Sequence, residues 1–195
     1  MLSEKFGTGC SLQRSKGNNM GNVKIGNMEI SIGDLLLMIG GLVMLIAVFL
    51  SWTTYSAAVL AGWKDVGISG MDLISGKLDG TSVSYSFLGK APLFVLIFGI
   101  AAIVLGALPL FKIDNKGIKI AGAVVALLAL IFAIMYMIVG GGASLFSGDD
   151  KTAVENAIKL GFVKMKLAFG SIMALIAAIV ATAGGVMNIL PIFKK

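Results

Sequence analysis

Four long runs of apolar sequence constrain this chain more than anything else in it, at 32–52, 91–111, 118–139 and 167–190. Each reaches the roughly 20 apolar residues with which an α-helix crosses the ~30 Å hydrocarbon layer of a bilayer. Inside that layer only a helix or a closed barrel satisfies every backbone N–H and C=O. Divided by bilayer thickness, the sequence predicts an all-α membrane protein, a four-helix transmembrane bundle. Composition agrees: 57% of the 195 residues are hydrophobic and 13% charged, where soluble domains carry about a quarter charged residues. The mean hydropathy is +0.97.

Orientation is read from Lys and Arg near the span ends, which cytoplasmic flanks accumulate. Lys5, Arg14, Lys16 and Lys24 precede the first span, Lys112, Lys116 and Lys119 crowd the short connection between spans two and three, and Lys194 and Lys195 end the chain. All fall on one side. On the other side, Lys64, Lys77, Lys90, Lys151, Lys159, Lys164 and Lys166 are offset by Asp65, Asp72, Asp79, Asp149, Asp150 and Glu155. The expectation is a multi-pass protein of the cell membrane with both termini cytoplasmic. Trp52, Tyr55, Tyr85 and Tyr136 would then gather at the outer interface, where amphipathic rings concentrate. Residues 1–31, rich in Gly, Asn, Ser and Lys, read as a disordered cytoplasmic tail, with Cys10 a solvated thiol and Met20 and Met28 as alternative starts. Residues 32–195 form the membrane domain, with outer loops 53–90 and 140–166.

The first outer loop carries strand signals. TTYSAAVL and VGIS read as strands joined through AGWKD, GMDLIS as one helical turn, and TSVSYSF, with Val83, Tyr85 and Phe87 alternating with serines, as a further strand after an Asp79-Gly80 turn. A small extracellular β-sheet from this loop, packed on the bundle rim, follows. Trp63 either fills the core between sheet and helices or is offered to a partner. The acids Asp65, Asp72 and Asp79 lack the spacing of a compact calcium loop. In the second loop, DKTAVENAIKLGFVKMK reads as an amphipathic helix with Val154, Ile158, Gly161, Phe162 and Met165 on one face and the pair Glu155 and Lys159 on the other. No Pro interrupts 150–190, so that helix is expected to run on into the fourth span as one post of ~60 Å.

Small residues recur at helical spacing in the spans. Gly170, Ala174, Ala178 and Thr182 make one stripe, Ala177, Ala181 and Gly185 a second, and Ala102 with Gly106, Gly122 with Ala126 and Ala129 with Ala133 repeat the pattern. Such residues let helix backbones approach where lipid supplies no hydrophobic drive. The fourth span, with two stripes, is the expected packing centre. Its ending, LPIFKK, echoes the LPLFK that ends the second, and in each a Pro is expected to stop the helix at the water boundary.

Chemistry is sparsely provided. The chain has no His and one Cys, which removes most metal and redox sites. Asp34 sits at the polar entrance of the first span, the other ionisable groups lie in loops, and no nucleophile motif is present. The expectation is a chain that is not an enzyme and takes no cofactor or metal. The net charge of +6 flanks the apolar runs, as in lysines anchored at lipid head groups, so nucleic acid is not an expected partner.

The layout of short tail, long strand-bearing first loop with Trp at its membrane boundary, tight inner turn and shorter second loop resembles the four-span architecture of claudins and peripheral myelin protein-like relatives, without their paired loop cysteines. Gly62 and Trp63 resemble part of the claudin loop motif. FLSW followed by GISGMDLISG more closely resembles small prokaryotic four-span proteins of unassigned function. These resemblances imply an architecture and no catalytic residues. The expected function is a scaffold or accessory subunit whose outer face, including Trp63, Asp72 and Tyr85, contacts a larger membrane or envelope protein. The alternative is a subunit of a transporter or of an oligomeric channel built from copies of the chain.

Overall fold

The computed structural model describes residues 22–25, 28–60, 62–78 and 80–193. Four helices in it are long and apolar enough to cross a membrane: α1 (Ile32–Phe49), α3 (Ala91–Ala107, prolonged by a 3-10 turn Leu108–Phe111), α4 (Lys116–Val139) and α6 (Phe169–Phe193). Local chemistry sets their ends. Ser31 caps α1 by accepting the Asp34 N–H, Asn115 caps α4 by accepting the Ile118 N–H at 2.9 Å, and Pro92 occupies the first turn of α3, where no backbone donor is missed. After the 3-10 turn, Lys112 takes a left-handed φ of 62° and ends the segment. The other Pro-ended span behaves differently, since α6 continues through Pro191 to Phe193.

The helices form a square in which α1 and α4 each pack on both α3 and α6. The two stripes on α6 serve two neighbours. Ala177 and Ala181 receive Gly40 of α1 so closely that a Cβ on Gly40 would fall 2.7 Å from the Ala181 Cβ. Gly185 lies against Ala123 of α4, and the Thr182 hydroxyl reaches the Ala126 carbonyl at 3.1 Å. Ala174 and Ala178 are fully buried. Gly170 has a separate task, seating α6 beneath the Ser51 carbonyl, where a Cβ would stand at 2.7 Å.

One end of the square carries most of the remaining structure. Strands β3 (Ser51–Val59), β4 (Gly62–Ser69) and β7 (Val163–Leu167) form an antiparallel sheet in the order β4-β3-β7. Beside it lie the short helix α2 (Gly70–Ser75), the small hairpin of β5 (Lys77–Leu78) and β6 (Thr81–Ser82), and the helix α5 (Gly148–Lys159). At the opposite end, β1 (Asn22–Ile25) and β2 (Met28–Ser31) pair as an antiparallel hairpin leading into α1.

Four expectations need correction. The final part of the expected disordered tail is this β1-β2 hairpin; residues 1–21, with Cys10 and Met20, lie outside the described residues. The continuous post over 150–190 does not form. Helix α5 ends at Lys159, Gly161 takes φ 78°, and the chain returns to the bundle as β7 before α6 begins. The sheet therefore draws its third strand from the second loop. Within TSVSYSF only Thr81 and Ser82 belong to a ladder, and Tyr85 makes a single bridge to Phe146.

Candidate interaction surface

The sheet is rooted in the bundle by a buried polar knot. Trp52, expected at a lipid interface, is fully buried; its Nε1–H donates to the Ala47 carbonyl at 2.7 Å and its ring meets Tyr136 edge-on at 4.9 Å. Thr53 Oγ donates to the Gly140 carbonyl at 2.7 Å, which leaves the Tyr136 hydroxyl to donate to Thr53 Oγ, also at 2.7 Å. The knot joins the start of β3 to the end of α4 and fixes the direction in which the strand leaves.

From that root β3 rises away from the helices, and burial falls along it from Trp52 to an exposed Ala58, Val59 and Leu60. Successive side chains face opposite sides of the sheet. Ser56 and Ala58 share a face with their register partners Lys164 on β7 and Trp63 on β4. Both central residues are small, so the Trp63 ring reaches across β3 to lie 4.1 Å from the Lys164 ammonium, within cation–π range. Trp63 is 47% exposed and fills no core. On the opposite face Val163 is buried, Met165 and Leu167 are half-buried, and α5 packs on β7.

The far end of the sheet is apolar. The Ala58 N–H donates to the Phe162 carbonyl at 2.8 Å, which ties the β3-β4 turn to the α5-β7 turn. Ala58, Val59, Leu60 and Phe162 line one shallow open depression, with Leu160 also exposed. Leu60 has no cover at all.

Of the residues expected at the surface, Trp63 is there and two are otherwise engaged. Asp72 closes a capping box at the start of α2: its Oδ2 accepts the Ser69 N–H at 3.0 Å and the Ser69 hydroxyl at 2.7 Å, while its own N–H donates to Ser69 Oγ. Tyr85 is buried, stacks on Phe146 at 5.3 Å and donates its hydroxyl to the Lys77 carbonyl at 2.8 Å. Burial first, then the nearby Asp72 and Asp150 carboxylates, raise its phenol above the ordinary range. Tyr85 thus clasps the two loops together. Leu60, Leu160 and Phe162 were not anticipated, although a turn reading VLAGW and another reading KLGF put apolar side chains where turns ordinarily place polar ones.

Among the described residues no group of three metal-ligating side chains comes together. No protein-family model and no curated protein matches the chain.

Proposed function

We propose that this protein is a non-enzymatic membrane scaffold or accessory subunit, that the sheet end of the bundle is its outer face, and that the sheet tip docks on a larger membrane or envelope protein. The observation that carries this reading is the apolar tip: Val59, Leu60 and Phe162 line one open depression at the β3-β4 and α5-β7 turns, and Leu160 and Trp63, on those same two turns, are exposed as well. Contiguous apolar patches are rare on the water-facing surface of monomers and mark interaction sites. An exposed Trp such as Trp63 is among the residues in which binding hot spots are enriched.

The test is purification of the full chain in mild detergent, with mass spectrometry of what accompanies it, for the native protein and for a Leu60→Asp, Phe162→Ser variant. Both substitutions fall at exposed turn positions, so the bundle should keep its helical circular dichroism and its melting temperature. The expected result is one reproducible membrane or envelope protein with the native chain and its loss with the variant. Retention of that protein by the variant overturns the tip as the docking site. Ion flux in liposomes from the protein alone overturns the scaffold reading in favour of a channel.

A further inference from the structure

Strand β7 stands at the end of the order β4-β3-β7, so one of its sides pairs with β3 and the other is a sheet edge. The register says which backbone groups lie on that edge. In an antiparallel pair, alternate residues exchange N–H and C=O with the neighbouring strand and the residues between them point theirs away. The Ala58 N–H donates to the Phe162 carbonyl at 2.8 Å and the Ala168 N–H to the Trp52 carbonyl at 3.0 Å. Continued along the ladder, this makes Phe162, Lys164, Lys166 and Ala168 the residues bonded to β3. The N–H and C=O of Val163, Met165 and Leu167 therefore point to the open side.

Along that side runs a groove of about 790 Å³. Its far wall is one stripe of α5, made by Lys151, Glu155, Ile158 and Lys159, whose spacing sets them side by side on a helix. Gly161 in the α5-β7 turn bounds one end and the 141–144 loop after α4 bounds the other. A strand edge that faces a helix across a groove suits an extended peptide. Main-chain hydrogen bonds to the edge give affinity, and the alternation of side chains gives selectivity.

Charge says which kind of peptide. Four lysines line the groove, Lys151, Lys159, Lys164 and Lys166, against one acid, Glu155, which is itself paired with Lys159 at 3.0 Å. All four are exposed. Lys164 and Lys166 stand on one face of β7, and Val163 and Met165 on the other. A strand added beside β7 continues both faces, so acidic side chains fit opposite the lysines and apolar ones beside Val163 and Met165. Lysines along an edge repel a like edge, which makes a second copy of β7 a poor occupant. A lipid head group would satisfy the lysines and leave the backbone edge unused.

We propose that the groove between β7 and α5 binds an extended segment of a partner protein, with acidic and apolar residues alternating, as a fourth strand of the sheet. The site shares no lining residue with the depression at the apolar tip, and it stands whether or not the tip docks. The test titrates the full chain, in nanodiscs of zwitterionic lipid, against a fluorescein-labelled peptide of alternating Glu and Val, read by fluorescence anisotropy. Saturable binding is expected, weakened roughly tenfold by Lys164→Glu with Lys166→Glu, which turns two attractive cross-strand pairs repulsive. Both lysines are exposed, so that variant should keep its melting temperature. The deciding measurement changes the backbone of the peptide and leaves the protein native. N-methylation of one alternate set of peptide residues, the set facing β7, should abolish binding, and N-methylation of the other set should leave it. Equal binding by the two methylated peptides would reduce the groove to a charged surface and overturn the proposal. Absence of peptide binding would overturn it too, and lysine-dependent capture of a labelled anionic phospholipid would then assign the groove to a head group.

Discussion

Thr53 does two jobs with one oxygen. It donates to the Gly140 carbonyl and accepts from Tyr136, and all of this happens at full burial. Removing the tyrosine hydroxyl by Tyr136→Phe takes away a donor and leaves no buried polar atom stranded, so a loss of about 0.5–1.5 kcal/mol is expected. Thr53→Val strands both the Tyr136 hydroxyl and a Gly140 carbonyl lone pair, at about 1–3 kcal/mol each. Thermal unfolding in detergent should therefore rank Thr53→Val well below Tyr136→Phe, although it deletes no more atoms; equal melting temperatures would deny the knot its role. Thr53 does not announce itself in the sequence. A threonine just beyond a span reads as interface. Burial, which comes from the neighbouring helices, gives it its importance.

The elements themselves were legible to different degrees, and the reason is the competition between periods. Span lengths are imposed by hydrocarbon thickness, so all four spans could be placed to within a few residues. The turn helix α2 and the strands β3 and β4 were also visible, because β-branched and aromatic residues there are bounded by glycines. The stretch 158–167 satisfies two patterns at once. Ile158, Phe162 and Met165 fit a helix, while Val163, Met165 and Leu167 alternate with Lys164 and Lys166 as a strand with one wet face. Pairing with β3 decides in favour of the strand, and no local signal outweighs it. A spin-label distance between Lys151 and Phe169 checks this directly. A continuous helix would separate the two backbones by ~27 Å, whereas α5 and α6 both start at the sheet-bearing end of the bundle, so a markedly shorter distance is expected. Gly161→Ala, which forces a left-handed residue with a Cβ, should cost about 1–2 kcal/mol without unfolding either helix; a separation of ~27 Å would restore the single post.

At the scale of the whole molecule, lysines 112, 116 and 119 mark one end of the square and the sheet marks the other. With the sheet end outside, a cysteine at Thr152 should label in intact cells with a membrane-impermeant maleimide, and one at Ile113 only after the cells are opened; both positions are exposed. The reverse pattern would invert the protein. The sheet also restricts how the bundle can move. Only Leu50 separates α1 from β3, and only Ala168 separates β7 from α6. The two strands are hydrogen-bonded from Thr53 opposite Leu167 onward, and the Ala168 N–H donates to the Trp52 carbonyl at 3.0 Å. Helices α1 and α6 are thus sewn together at one end and cannot slide past each other by a turn without tearing the seam.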